Sequence, residues 1–299
     1  MTSQSKILKE KIERNSIVKV AGAFDALSAK LVEIAGFDAV WASSFGISAT
    51  HALPDAGIMT MTEFLDVSSS MVESCKIPIV ADCDTGFGGP SNVSHMIKKY
   101  ESAGIAAVSI EDKTFPKQNS LLEDSTQELL SEKDFVAKII AAKNARSDAN
   151  FLIFARTEAL IAGKGMDEAI KRANAYDEAG ADAIIIHSKQ KDPSEIFEFV
   201  DKWKHTKPII VIPTSYPSVT TDELINHRIK MVIYANQSLR ASFVSISKTL
   251  NELVRAKSGD QITTELSTME DIFKVQQMYK LKSEEKSIED HLKKLGYIN

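Results

Sequence analysis

The sequence predicts an α/β fold, a (β/α)8 TIM barrel followed by a helical tail. Three observations carry that prediction. Eight short runs rich in β-branched residues alternate with longer amphipathic stretches. One junction is written three times, as Ala35-Gly36-Phe37-Asp38-Ala39-Val40, Ala103-Gly104-Ile105-Ala106-Ala107-Val108 and Ala179-Gly180-Ala181-Asp182-Ala183-Ile184. The length, 299 residues, suits a barrel of about 250 residues with an appendage.

The elements follow in order. Strand Val18–Ala21 leads to helix Ala26–Ala35, which Gly36 stops, because only glycine takes the left-handed cap without steric cost. Ala39–Ser43 and Thr62–Cys75 make the second unit. Ile79–Asp82 precedes Asn92–Ala103, stopped by Gly104, and Ala107–Glu111 precedes Glu132–Ala145. Leu152–Arg156 precedes Met166–Ala179, stopped by Gly180. Ala183–His187 with Pro193–Trp203, Ile209–Ile212 with Thr221–Asn226, and Met231–Tyr234 with Leu239–Ala256 complete eight units. The strands are near-continuous apolar runs, as parallel strands buried on both faces are. An open doubly wound sheet is the rival, but Ala21-Gly22-Ala23-Phe24-Asp25 lacks the G-x-G-x-x-G phosphate turn. Ser258–Thr264 reads as a polar linker, and Ser267–Leu281 and Ser283–Leu295 as two further helices. The expected division is residues 1–257, a barrel that includes an N-terminal helix, and residues 258–299, a helical extension packing on the barrel or on a neighbouring subunit.

Composition narrows the class. Lys plus Arg number 36 and Asp plus Glu 41, a formal net charge of −5, which argues against nucleic acid as a partner. Two cysteines, Cys75 and Cys83, are too few for a disulfide scaffold or a Cys-rich zinc site. Met1–Asn15 lacks the apolar run of a signal peptide. Apolar runs such as Ile209–Pro213 fall far short of the roughly 20 residues of a membrane helix. The expectation is a cytoplasmic protein with no membrane partner.

Catalytic residues of βα barrels sit at the C-terminal ends of strands. Here those ends carry Ser43, Asp82, Glu111, Arg156, His187 and Thr214. Asp82 and Asp84, two apart, share one face of an extended backbone, and Glu111 ends the next strand. Three acids so close would repel unless a cation sits among them, and all-oxygen ligation suits Mg²⁺ or Mn²⁺ rather than Zn²⁺. The alternative is a turn at Asp84-Thr85-Gly86 and an ion pair from Glu111 to Lys113. Arg156 and His187 beside such a metal suit an anionic, phosphorylated small molecule; the alternative is a structural ion pair from Arg156 to Glu158 or Glu111. His95, His205, His227 and His291 fall on helices or loops away from the rim. After Glu111 the next helix starts only near Ser131, a connection of about twenty residues where 2–6 is usual, so this segment reads as a lid with Lys117 and Asn119 able to close over an anion.

These residues also carry a resemblance. Glu111-Asp112-Lys113-x-Phe115-Pro116-Lys117-x-Asn119-Ser120 resembles the gating loop of the phosphoenolpyruvate mutase family, in the isocitrate lyase/phosphoenolpyruvate mutase superfamily. The likeness spans roughly residues 15–280. It includes Val40-Trp41-Ala42-Ser43, Pro54-Asp55, Asp82-x-Asp84-Thr85-Gly86-Phe87-Gly88, Ala155-Arg156-x-Glu158-Ala159, Ile186-His187-Ser188-Lys189 and Ile212-Pro213-Thr214. The Asp-x-Asp-Thr-Gly-Phe-Gly stretch alone marks only the superfamily. The resemblance implies a barrel whose eighth helix is exchanged between subunits in a dimer of dimers. It implies Mg²⁺ held through Asp82, Asp84 and Glu111, partly by way of water, with Mn²⁺ a substitute. It implies interconversion of phosphoenolpyruvate and 3-phosphonopyruvate, forming the P–C bond that opens phosphonate biosynthesis. Carried over by position, Ser43 and the Ser44 backbone hold the substrate carboxylate, within a substrate site that also includes Trp41 and Asp82. Arg156, His187 and Asn119 hold the phosphoryl group, Asp55 is nucleophile or phosphoryl stabiliser, and Lys117 arrives with the lid.

Two departures matter. Ser44 stands where related chains often have Gly, which adds a side chain near the substrate. Lys117-Gln118-Asn119-Ser120 stands where the C–C lyases carry Lys-Lys-Cys-Gly-His, so no thiol is available for cleavage of an isocitrate-like substrate. Phosphonopyruvate hydrolysis is the nearest rival, for which Thr at position 119 is expected, so Asn119 favours the mutase. A lyase is third. A metal-binding barrel kept as a scaffold or sensor is a different class, and has no need of the acids, Arg156 and His187 together.

Overall fold

The sheet closes on itself. In a computed structural model, which describes residues 3–298, eight parallel strands pair in chain order and the eighth returns to the first. They are β1 (Val18–Ala23), β2 (Ala39–Ala42), β3 (Ile79–Asp82), β4 (Ala107–Glu111), β5 (Leu152–Thr157), β6 (Ala183–Ile186), β7 (Ile209–Val211) and β8 (Met231–Tyr234). Val18 pairs with Met231 and Ala21 with Tyr234, which removes the open doubly wound sheet. All eight expected strands form, within one or two residues at each end.

The helices are α1 (Gln4–Arg14), α2 (Ala26–Ile34), α3 (Ser44–Thr50), α4 (Met61–Ser74), α5 (Pro90–Ser102), α6 (Glu132–Ala145), α7 (Met166–Glu178), α8 (Ser194–Lys202), α9 (Thr221–Asn226), α10 (Gln237–Leu253), α11 (Met269–Val275) and α12 (Met278–Lys294). The repeated junction is one structure built three times. Gly36, Gly104 and Gly180 take φ of 87°, 83° and 100°. The residue after each glycine donates back into the helix, Phe37 to Val32, Ile105 to Tyr100 and Ala181 to Tyr176, which is the Schellman closure. The next residue donates to the preceding strand, Asp38 to Lys19, Ala106 to Ile79 and Asp182 to Ile153. Each glycine therefore ends a helix and sets the register of the strand that follows.

Alternation along the strands builds two cores. Val20, Trp41, Val80, Phe154, Ile185, Ile210 and Ile233 fill the barrel interior, together with Leu8 and Ile12 of α1. Their neighbours Val40, Ala81, Val108, Ile153, Ile184 and Val211 pack outward with helix residues such as Met71, Ile97, Ile139 and Phe199. This two-faced burial is why the strands lack polar alternation.

Three features differ from expectation. Helix α3 was not anticipated; it forms because the Ser43 side chain caps it, accepting from Gly46 N at 3.2 Å. The tail helices break at Gln277, in the left-handed region at φ 56°, rather than after Leu281. The described chain separates into two compact units after Arg240, so most of α10 goes with the tail, whereas the expected division lay at 257/258. No residue of α10 is buried; Phe243, Val244, Ile246 and Leu250 are all exposed. In the barrel unit, α2 exposes Leu27, Leu31 and Ile34.

Candidate active site

Side-chain period decides what faces the centre of the barrel. The last interior apolar positions are Trp41, Val80, Phe154, Ile185 and Ile212. Two residues further along each chain stand Ser43, Asp82, Arg156, His187 and Thr214, and Glu111 follows Ser109 in the same way. All of them line one cavity of about 690 Å³. The residues of opposite parity, Cys83, Asp112 and Thr157, point toward the helices instead. Asp112 there accepts from Tyr176 Oη at 2.6 Å and Arg172 Nη1 at 3.2 Å.

Asp84 and Glu111 are buried, and Asp82 is half-buried. Burial pushes the Asp82 carboxyl up, against the pull of Lys117 and Arg156 and with the push of Glu111 and Asp55. Burial likewise raises Asp84 to about 7, against Lys117. Asp84 does not line the cavity. It reaches the site through Lys117, whose ammonium lies 2.6 Å from Asp84 Oδ1 and 2.8 Å from Asp55 Oδ1. Burial opposes the Lys117 charge, but Asp84, Glu111, Asp55 and Asp82 together drive it well above the ordinary lysine value. The Asp84-Thr85-Gly86 turn is real, with Gly86 N donating to Cys83 O at 2.8 Å. It carries the acid rather than competing with it. Glu111 faces Arg156 at 3.5 Å, and Lys113 reaches Glu158 rather than Glu111.

The departure at Ser44 has a local purpose. Its hydroxyl donates to Asp82 Oδ2 at 3.0 Å, a bond that glycine cannot make. Ser43, by contrast, spends its acceptor on capping α3, which leaves its proton free for the cavity.

The lid runs from Asp112 to Ser131 and folds down over the cavity. Its stem is an antiparallel bridge of Lys113 with Leu129, braced by Thr114 N donating to Glu128 O at 3.0 Å. At its tip Asn119 Nδ2 donates to Asp55 Oδ2 at 2.7 Å. Lys117, expected to close with the lid, is already 93% buried among the acids.

Arg156 and His187 sit together in the lining of the cavity. Arg156 Nη2 lies 3.0 Å from His187 Nδ1, and both pair with Glu158. The structural ion pair and the cavity-facing role therefore coexist. Burial lowers the His187 imidazole, with Glu158 opposing and Arg156 adding to the shift. Sequence reasoning did not place Glu158, Lys113, Ser120 or Asn236 in the site. Glu158 and Lys113 were findable, since each lies two residues beyond a cavity residue. Ser120 and Asn236 lie on irregular segments where no period applies.

The donor set fits a hydrated Mg²⁺. Among the described residues no three His, Cys, Asp or Glu side chains converge closely enough to hold a metal by themselves. Mg²⁺ does not require that, since it keeps several waters and takes one or two carboxylates plus substrate oxygens. Glu111 Oε1 is buried without a hydrogen-bond partner, and Asp82 and Asp84 stay raised by burial and by the neighbouring acids although Lys117 lies beside them.

Comparison with known proteins agrees with this architecture. The model of the phosphoenolpyruvate phosphomutase family matches residues 8–254. A phosphoenolpyruvate phosphomutase of Tetrahymena pyriformis is 41% identical over 285 residues, 95% of each chain. The crystal structure of a phosphoenolpyruvate phosphomutase from Streptomyces platensis subsp. rosaceus superposes with a TM-score of 0.92 at 43% identity, over 95% of this chain and 98% of that one. A phosphonopyruvate hydrolase in complex with oxalate and Mg²⁺ superposes with a TM-score of 0.89 at 37% identity, over 94% of this chain and 98% of that one. By family match, identity and fold alike, the chain belongs to the phosphoenolpyruvate phosphomutase family.

Proposed function

We propose that this enzyme interconverts phosphoenolpyruvate and 3-phosphonopyruvate by Mg²⁺-dependent intramolecular phosphoryl transfer. The observation that carries the reading is the sealed pair Asn119–Asp55, at 2.7 Å, with Lys117 against the same carboxylate. Transfer from oxygen to carbon within one substrate requires that water be kept from the migrating phosphoryl group. A lid latched onto the residue nearest that group meets the requirement.

Each residue then has a task. Ser43 Oγ and the Ser44 backbone N–H orient the pyruvyl carboxylate above Trp41. Arg156, His187 and Asn119 bind the phosphoryl oxygens and stabilise the spread charge of a loose, metaphosphate-like transition state. Asp55 faces the migrating group, and Lys117 balances the acids around it. Asp82, Asp84 and Glu111 would hold Mg²⁺ directly or through water, with Mn²⁺ a substitute. When bound, that cation supplies Lewis-acid stabilisation of the pyruvyl enolate.

Hydrolysis of phosphonopyruvate is the second reading, favoured by the 37% identity to a hydrolase over nearly the whole chain. ³¹P NMR of the protein with Mg²⁺ and phosphonopyruvate separates the two. Phosphoenolpyruvate as product supports the mutase, and free phosphate with pyruvate supports the hydrolase.

The exposed apolar residues of α10 and of α2 support a homo-oligomer in which the eighth helix is exchanged. The tail from residue 258 is read as an extension packing on the barrel or on a neighbour. No helix among the described residues is long and apolar enough to cross a membrane, which is in keeping with the cytoplasmic reading.

A further inference from the structure

Glu158 is fully buried, and its two oxygens face different parts of the site. Oε1 accepts from Arg156 Nε and lies 3.1 Å from His187 Nδ1. Oε2 accepts from Ser120 Oγ at 2.7 Å and lies 3.6 Å from Lys113 Nζ. Ser120 belongs to the lid, next to Asn119. Lys113 Nζ donates to Ser120 Oγ at 2.6 Å and to Gln118 O at 2.8 Å, so it ties the lid to the same carboxylate. Arg156 Nη2 completes the circuit by donating to Ser120 Oγ at 3.3 Å.

We propose that Glu158 is a positioning residue that couples closure of the lid to the alignment of Arg156 and His187. This rests on the reading that those two side chains receive a phosphoryl group.

The geometry at His187 sharpens the inference. Nδ1 lies 3.1 Å from Glu158 Oε1 and 3.0 Å from Arg156 Nη2. Toward the carboxylate it must donate; toward the guanidinium it must accept; one nitrogen cannot do both. A bare Nδ1 would set its lone pair against the Glu158 carboxylate in a dry site. With the proton on Nδ1, Arg156 keeps Glu158 and Ser120 as acceptors and loses little. Glu158 therefore selects the Nδ1–H tautomer and leaves Nε2 as the acceptor, buried without a hydrogen-bond partner on a ring that lines the cavity. The carboxylate behind the ring also stabilises the imidazolium that a phosphoryl oxygen at Nε2 would draw. When the lid lifts, Ser120 leaves Oε2, and the carboxylate that holds Arg156 and His187 loses an anchor.

The first test needs no substrate. In ¹⁵N-histidine-labelled wild-type protein, the His187 ring is assigned by the signal that His187→Gln removes. Protonation at Nδ1 is expected. A ring protonated only at Nε2 would overturn the proposal, because Arg156 would then set the orientation. The second test compares wild type with Glu158→Gln and Ser120→Ala. We expect kcat/KM for the phosphoryl substrate to fall about 10- to 100-fold. The affinity for oxalate, which has no phosphoryl group, should stay within about twofold of wild type. Equal loss of both, or unchanged kcat/KM, would reduce Glu158 to a structural counter-ion. If wild-type protein turns over no phosphoryl substrate, the proposed function fails, and the tautomer still decides the role of Glu158.

Discussion

Asn119 on the lid donates to Asp55 at 2.7 Å, joining residues 64 apart in the chain directly over the cavity. The bond serves as a latch, and its amide also faces the site where a phosphoryl group would pass. Removing it should therefore affect both rate and product. Asn119→Ala is expected to lower kcat about 100-fold, the usual effect of losing one transition-state donor. Asn119→Thr should raise the share of phosphonopyruvate that ends as free phosphate. ³¹P NMR product ratios check both, and an unchanged ratio in the Thr variant would remove Asn119 as the barrier to water.

Removal of divalent metal should abolish turnover. Asp82, Asp84 and Glu111 offer oxygen alone, so Mg²⁺ should restore activity after chelation, and Mn²⁺ should substitute. Titration of metal into chelator-treated protein, read by turnover, gives the answer. Full activity at saturating chelator would be incompatible with the proposed role of the three acids.

Gly22 is required by close approach of backbone. A Cβ there would meet the Ala235 carbonyl oxygen at 1.9 Å, just past the end of β8. No side chain can rotate away, so β1 or the chain after β8 must shift. Gly22→Ala should destabilise the fold by about 1–3 kcal/mol. At roughly 2–4 °C per kcal/mol for a unit of this size, thermal unfolding shows the loss directly. A midpoint equal to wild type would mean that the chain relaxes there without strain.

Glu252 near the end of α10 accepts from Thr263 N at 2.7 Å and Thr264 N at 2.9 Å. Those backbone donors, with the Thr263 hydroxyl, bring its carboxyl down to about 2. A depressed carboxylate stabilises the folded state above its ordinary value near 4.5, and that contribution is lost as pH falls toward 2. Residues 262–265 should therefore lose amide protection between about pH 4.5 and 2. In Glu252→Gln, protection there should be weaker at neutral pH and should lack this acid step. Hydrogen exchange followed by mass spectrometry reads both; an identical acid step in the variant would assign it to another group.

Much of the site could be read from residue order. Ser43, Asp82, Glu111, Arg156, His187 and Thr214 end strands whose apolar runs and glycine stops mark them plainly, and local chemistry governs both signals. Asp55, Lys117 and Asn119 lie on connections without period; the length of the lid pointed to Lys117 and Asn119, and only the family resemblance pointed to Asp55. The break at Gln277 was missed because it rests on a single left-handed residue within a polar helical stretch.

The sequence by itself determined the eight strands, the three glycine stops, the identity of the buried acids and the absence of a thiol on the lid. These depend on propensity, periodicity and residue type, which are local. Tertiary structure decided that Lys117 lies between Asp55 and Asp84, that Ser44 answers Asp82, and that Glu158 holds Arg156, His187 and the lid at once. Those relations join atoms far apart in the chain. They exist only where barrel closure brings the strand ends together in a site dry enough for each buried charge to require a partner.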